Sequence, residues 1–282
     1  LELFAADLSA TPYQVVRRIG SGGMGEVLEV RHRHLDKPMA LKLLRAAASQ
    51  HPYVRDRFRT EAQALTRLHH DNLLHVSDLG ETKSRRPFLV CELLEGESLG
   101  ELLKRRGPLP PEEAVGYALQ ALAGLGEAHG GGLGHRDVKP ANLFVCSPDA
   151  SGRRLVKVLD FGVAKVLAPP AGQKAPTYAP AVATAEGQIV GTPSFVAPEQ
   201  ALSKPVDQRA DLYGMGCVLF LCLTGRRVFE RDSFAEMLAA HALAVPDPPS
   251  RYARAALPPA LDAAVLRALK KSPDERFATA AE

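Results

Sequence analysis

Gly134-His135-Arg136-Asp137-Val138-Lys139-Pro140-Ala141-Asn142-Leu143-Phe144, followed shortly by Leu159-Asp160-Phe161-Gly162, sets two carboxylates in loops that abut apolar strands. A hard cation such as Mg²⁺ takes one or two carboxylate or carbonyl oxygens together with phosphate oxygens of a substrate. Asp160 and the side-chain oxygen of Asn142 supply such a set, and Asp137 is left free to accept the proton of a hydroxyl. Asp-Phe-Gly alone reads as an ordinary turn. Behind His-Arg-Asp-x-Lys-x-x-Asn, the combination is specific.

Two constellations lie further upstream. Lys42 falls inside the apolar strand Met39-Ala40-Leu41-Lys42-Leu43-Leu44, where an unpaired ammonium is costly. The next periodic segment, Val54–Leu68, predicts a helix whose stripe is Phe58, Ala62, Leu65 and Leu68. Glu61 lies three after Phe58 and four before Leu65, on that same stripe. Two opposite charges aimed inward are best explained by meeting each other. The alternative is that Lys42 snorkels to the surface and Glu61 sits at the edge of the stripe. Gly20-Ser21-Gly22-Gly23-Met24-Gly25-Glu26-Val27 lets backbone amides approach a phosphate closely. A dinucleotide fingerprint would need a helix straight after the glycines, but Val27-Leu28-Glu29-Val30 continues as a strand. A glycine-rich hairpin without a ligand stays open on these residues alone.

The chain around these motifs is ordinary globular sequence. Its 282 residues are 46% hydrophobic and 24% charged, which excludes a disordered or fibrous chain. A net charge of +3 gives no argument for nucleic acid or for a membrane surface. The longest apolar run, Gly216–Leu223, falls short of a membrane span, and no signal peptide is legible. Cys91, Cys146, Cys217 and Cys222 show no Cys-x-x-Cys spacing and sit in apolar surroundings, which predicts buried, reduced thiols in a cytoplasmic setting.

Before residue 95, strands are predicted at Tyr13–Ile19, Glu26–Arg33, Met39–Leu44, Leu73–Leu79 and Phe88–Leu93. After it the chain is largely helical, beginning with a helix opened by Pro110-Pro111 and ended by Gly130-Gly131-Gly132. The fold class is α+β, with a small β-rich lobe over 1–94, a larger helical lobe over 95–282, and a ligand cleft expected between them. Ala168–Gly187 is read as a mobile loop, because it holds almost no large apolar residue. Ala278–Glu282 predicts the first turn of a final helix. The missing initiator Met and the abrupt end lead to the expectation of a fragment, the cytosolic domain of a longer, membrane-anchored protein.

Taken in order, GxGxxGxV, the strand lysine Lys42, HRDxKxxN, DFG and Ala197-Pro198-Glu199 make the chain resemble the eukaryotic-like (Hanks-type) serine/threonine protein kinases, bacterial branch, from about Tyr13 to Glu282. The resemblance implies the two-lobed kinase fold, ATP with Mg²⁺ (Mn²⁺ able to substitute), and protein substrates. Ile19, Val27, Ala40 and Phe144 would enclose adenine, with Cys91 in the gatekeeper place and Glu92 and Leu94 offering backbone hydrogen bonds. Cys91 reads equally as a small core thiol. Gly20, Ser21, Gly22, Gly23 and Gly25 would cover the phosphates, and Lys42, braced by Glu61, would hold the α- and β-phosphates. Asn142 and Asp160 would bind the metal, Asp137 would serve as base, and Lys139 would neutralise the transferring group.

Lys139 and Gly191-Thr192-Pro193 resemble the serine/threonine rather than the tyrosine branch, with Thr192 bridging Asp137 and Lys139. Asp211 would brace the catalytic loop, and Arg276 would pair with Glu199. Arg136 implies activation by loop phosphorylation, at Thr177, Tyr178 or Thr184 with Ser194 as a fourth candidate, and Glu186 is read as a constitutive negative charge nearby. A homodimer through the first lobe is expected by analogy. Two other classes compete. A pseudokinase scaffold would lack one of Lys42, Glu61, Asp137, Asn142 or Asp160, and a small-molecule phosphotransferase would lack the polypeptide-docking segment Gly191–Glu199.

Overall fold

The computed structural model describes residues 1–22, 25–49, 52–161 and 193–282. Its backbone contacts divide the chain into two compact units. The first takes in Leu1–His69 and Leu74–Glu95, the second His70–Leu73, Gly96–Phe161 and the residues from 193 onward.

The first unit is built on a five-stranded antiparallel sheet of order β1-β2-β3-β5-β4, formed by β1 (Tyr13–Gly22), β2 (Gly25–His32), β3 (Lys37–Leu44), β4 (Val76–Glu81) and β5 (Pro87–Glu92). Side chains alternate across its faces. One face carries Leu28, Val30, Met39, Leu41, Leu43, Phe88 and Val90 into a core that Leu8 and Tyr13 complete. A helix the sequence did not announce, α1 (Glu2–Asp7), delivers Leu8 to that core. Asp7 then accepts the amide and hydroxyl of Ser84, both at 2.9 Å. After the four-residue α2 (Ala46–Ser49) comes α3 (Pro52–Leu65), which buries Phe58, Ala62 and Leu65 as its period requires. It ends three residues before the expected Leu68. Arg67 and Leu68 bond to carbonyls three residues back, the tighter pattern that closes a last turn.

The strand expected from Leu73 starts instead at Val76. Leu73 bridges Val158, and Asn72 donates to the Val156 carbonyl at 2.8 Å, so His70–Leu73 is bound into the second unit. There, β6 (Gly96–Ser98), β7 (Leu143–Cys146) and β8 (Val156–Val158) form a small antiparallel sheet in that order. Around it lie α4 (Leu99–Arg106), α5 (Pro111–Gly130), the single turn α6 (Pro198–Ala201), α7 (Arg209–Thr224), α8 (Phe234–Leu243) and α9 (Pro259–Ala268). Ser98 and Glu101 cap α4 reciprocally, a spacing readable in the sequence but not read. Helix α7 is buried on nearly all sides, which its uniformly apolar sequence demands, and it packs between α5 and α9.

Three of the four cysteines are buried as expected, while Cys146 on β7 is half-buried, and all four are unbridged. Burial pushes the Cys217 thiol up and Cys222 to about 12, so neither is a nucleophile at neutral pH. Residues 278–282 form no helix. The Glu282 carboxylate instead accepts the Ala278 amide at 2.9 Å and pairs with Arg267 at 2.5 Å, and so short a segment closes too few helical bonds to nucleate. Among the described residues no helix is long and apolar enough to cross a membrane.

His241 on α8 is fully buried. Burial first, and then the Lys271 ammonium, pull its pKa down to about 4. Between about 6.5 and 4 the unfolded chain binds a proton that the folded one refuses, so the contribution is whole above 6.5 and is lost as pH falls towards 4. Urea denaturation is expected to show stability dropping across that window by on the order of 3 kcal/mol more in wild type than in His241→Gln. Equal drops would contradict it.

Candidate active site

The loop at 134–142 is held from beneath by α7. Asp211 in the first turn of that helix accepts the amides of His135 at 2.8 Å and Arg136 at 2.5 Å, and its Oδ2 lies 2.8 Å from His129 Nε2 on α5. A carboxylate with three such partners fixes the loop backbone, including the left-handed turn at Arg136 (φ 63°). Glycine is required on the same helix. A Cβ at Gly214 would come within 2.9 Å of the Val138 side chain, so α7 reaches the loop only because nothing protrudes there.

His135, itself buried, links this loop to the second motif. Its Nδ1 receives the Asp137 amide at 3.2 Å, which places the ring proton on Nε2, 2.7 Å from the Leu159 carbonyl. Its ring also packs on Phe161, 4.9 Å between centroids. Asp137 Oδ2 accepts Lys139 Nζ at 2.7 Å and Asn142 Nδ2 at 3.1 Å, and the Asn142 amide also donates to the Asp137 carbonyl at 2.8 Å. Both side-chain contacts fall on Oδ2, so Oδ1 is the oxygen left to take a proton. Asn142 closes a 3-10 turn begun by Pro140, and its carbonyl receives the Leu159 amide at 2.8 Å. That bond sets Asn142 beside the residue preceding Asp160, whose own backbone is left-handed (φ 55°).

These residues suit a hard cation. The Asn142 amide nitrogen is committed to Asp137, which leaves its oxygen as the donor end, and Asp160 supplies a carboxylate close by in the chain path. Among the described residues no cluster of three or more His, Cys, Asp or Glu could hold a metal by itself. One carboxylate and one amide oxygen would leave most of an octahedral shell to water or phosphate oxygens, the habit of Mg²⁺.

In the first unit, the sheet face opposite the core gathers the expected nucleotide residues. Val27 stands across from Lys42, Lys42 across from Leu89, and Ala40 across from Cys91, whose Sγ reaches the Ala40 carbonyl at 3.5 Å. Strands β1 and β2 continue as a hairpin through Gly20↔Val27, Ser21↔Glu26 and Gly22↔Gly25. A Cβ at Gly25 would stand 2.0 Å from the Leu43 carbonyl, so that crossing admits glycine only. Ile19 is exposed, within β1 and just before Gly20. The Glu92 carboxylate caps the His75 amide at 2.9 Å, and Leu94 follows half-buried outside the strands. Phe144 lies in the second unit, on β7 between Ser98 and Lys157. Glu61 sits on α3, its side chain outside the described residues, as are Gly23, Thr192, Thr177, Tyr178, Thr184 and Glu186.

Beyond the loop, Glu199 receives both terminal nitrogens of Arg276, at 2.8 and 2.7 Å, with both side chains buried. Arg276 spends its remaining donors on the Lys270, Lys271 and Arg209 carbonyls. Ser194 corrects one expectation. It is 1% exposed, so its hydroxyl is not presented for phosphorylation in this conformation. Gln200 was missed. It accepts the Ala197 amide and donates to the Arg136 carbonyl at 2.9 Å, tying α6 to the catalytic loop. His129 was missed too, since only the fold brings it to Asp211.

The protein kinase domain family matches residues 13–281. Serine/threonine-protein kinase pkn3 of Myxococcus xanthus is 38% identical over 96% of this chain and 48% of its own length. PknB of Mycolicibacterium smegmatis is 38% identical over 96% of this chain and 41% of its own. The chain thus spans about half the length, or less, of these curated relatives. The crystal structure of the Mycobacterium tuberculosis PknI kinase domain aligns with a TM-score of 0.71 at 28% identity, covering 96% of this chain and 92% of that one. With the family pattern running from Tyr13 almost to the last residue, and its fold recovered in space, this chain belongs to the protein kinase family.

Proposed function

We propose that the chain catalyses ATP-dependent phosphorylation of serine and threonine hydroxyls in proteins, its own included. The carrying observation is Asp137, fixed through Oδ2 by Lys139 and Asn142 with Oδ1 left over. On this reading Oδ1 takes the hydroxyl proton as the new oxygen–phosphorus bond forms and the bond to the β-phosphate oxygen breaks, releasing ADP. Lys139 sits where it can offset charge on the transferring group. Asn142 and Asp160 would hold a divalent cation, which when bound neutralises phosphate charge. We take that cation to be Mg²⁺, with Mn²⁺ as a substitute.

The small lobe read from the sequence over 1–94 is assigned to the nucleotide. Val27, Ala40 and Cys91 share one sheet face with Lys42, giving adenine an apolar wall and the phosphates a cation. Glu61 would brace Lys42. The larger lobe read over 95–282 is assigned to catalysis and to docking of the polypeptide, with Thr192 bridging Asp137 and Lys139. A cytosolic site of action fits the need for ATP and the four unbridged thiols. Pairing of copies through the first unit fits β1, an edge strand with Val16 exposed, and sedimentation tests it.

Incubation with γ-labelled ATP and Mg²⁺ or Mn²⁺, with myelin basic protein as acceptor and mass spectrometry of the products, tests the reading. Expected are phosphoserine and phosphothreonine on the acceptor, and chain phosphorylation that includes Thr177 or Thr184. ATP binding without transfer would favour a scaffold. Phosphotyrosine alone would contradict the serine/threonine assignment.

A further inference from the structure

The turn between β4 and β5, Thr82-Lys83-Ser84-Arg85-Arg86, holds a charged junction that the mechanism does not use. Its two hydroxyls differ, Thr82 being buried and Ser84 exposed. Ser84 Oγ donates to Asp7 Oδ2 and the Ser84 amide to Asp7 Oδ1, both at 2.9 Å. Arg86 Nη1 stands 3.7 Å from the same Oδ2. Burial works to raise the Asp7 pKa. The Ser84 amide and hydroxyl, Thr82 and the Arg86 charge nevertheless hold it below the usual carboxylate range, so the junction contains an anion at neutral pH.

That anion fastens α1, which has little else to hold it. The helix buries none of its own six residues and has no side-chain cap at its start. So short a helix does not persist alone. Leu8 and Phe4 pack on the core, the Lys83 amide donates to the Asp7 carbonyl at 3.0 Å, and the Asp7 carboxylate closes the turn. Arg86 meanwhile gives Nε and Nη2 to the Leu44 carbonyl, at 3.1 and 2.9 Å, where β3 ends opposite Gly25. The Lys83 and Arg85 side chains are exposed and close no ion pair or hydrogen bond among the described residues. A phosphate on Ser84 would thus have Lys83, Arg85 and Arg86 in its own turn and a carboxylate against its oxygen.

We propose that Ser84 is a phosphorylation site of this chain, where phosphate displaces Asp7 as the partner of Arg86 and releases α1 from the sheet. The proposal rests on the kinase reading above, with a second copy acting as the enzyme. Ser84 Oγ bonds to the γ-phosphorus of ATP as the bond from that phosphorus to the β-phosphate oxygen breaks. ADP leaves, and the hydroxyl proton passes to Oδ1 of Asp137 in the second copy. The modified oxygen has no proton left for Asp7, and a group of charge about −1.5 to −2 stands against the carboxylate. Charge-assisted bonds to Arg86 and its basic neighbours form instead. Asp7, the last residue of α1, then loses what fixes its side chain.

Two measurements test it. In the first, wild type, ATP and Mg²⁺ are mixed with the Asp137→Asn chain as acceptor, and with myelin basic protein in parallel. Mass spectrometry is expected to find phosphoserine at position 84 of the acceptor chain. Labelled myelin basic protein without phosphate at Ser84 overturns the proposal and leaves the kinase reading standing, whereas transfer to neither overturns both. In the second, phosphoserine is installed at position 84 during translation, and hydrogen exchange of the Leu8 and Lys83 amides is followed. Exchange is expected to quicken about tenfold or more over wild type. Ser84→Ala keeps the backbone bond, adds no charge and is expected to stay within about threefold. Asp7→Asn in the phosphoserine chain removes the repulsion and offers the phosphate a donor, so exchange is expected to return to within about threefold of wild type. Unchanged exchange in the phosphoserine chain, or no recovery with Asp7→Asn, overturns the proposal.

Discussion

Asp137→Asn is expected to lower phosphoryl transfer by about 10²–10⁴-fold and to leave ATP binding within a few-fold of wild type. The substitution keeps the shape of the side chain but removes its ability to take a proton. The neighbours that fix Asp137 make the test clean. Asp211 holds the loop by its backbone amides, and Asn142 still has the residue 137 carbonyl at 2.8 Å. Only the contacts at Oδ2, with Lys139 and Asn142, lose charge. These are partly exposed, so little stability goes with them. Transfer of labelled phosphate measured beside binding of a fluorescent ATP analogue separates the two effects. A variant that transfers at the wild-type rate would remove Asp137 from the chemistry, and one that no longer binds ATP would point to a collapsed loop.

Arg276→Met is expected to cost about 3–5 kcal/mol, because it strands a buried carboxylate at Glu199. For a chain of this size that corresponds to a fall in Tm on the order of 10 °C. Glu199→Gln should cost less. It leaves Arg276 bonded to the carbonyls of Lys270, Lys271 and Arg209, whereas Arg276→Met leaves all three without their donor. Urea denaturation of both variants checks the order. A loss below about 1 kcal/mol for Arg276→Met would contradict the account, since it would mean that no buried charge is left stranded at Glu199.

What the sequence showed, and what it hid, divides by the range of the interaction. The hairpin of β1 and β2 and the stripe Phe58, Ala62, Leu65 follow from local period, and the structure has them. The family pattern singled out Asp211 and Arg276, and the structure brings them to the catalytic loop and to Glu199. Errors arose where a distant partner overrides local preference. Leu73 has strand character, but it pairs with Val158 within the second unit rather than extending β4. Ala278–Glu282 has helical composition, but the Glu282 side chain takes Arg267 and the Ala278 amide instead. Ser194 reads as a loop hydroxyl, but the fold buries it. His129, Gln200 and His241 carry no local mark at all, since each acts on residues far along the chain.

The most direct measurement is a crystal structure with a non-hydrolysable ATP analogue and Mn²⁺, the metal located by its anomalous scattering. The expected result is a cation bound by Asn142 Oδ1, an Asp160 carboxylate oxygen and phosphate oxygens, with coordination distances close to the roughly 2.0–2.1 Å of an octahedral Mg²⁺ site. A cation held by nucleotide and water alone, with Asn142 and Asp160 turned to other partners, would contradict the account.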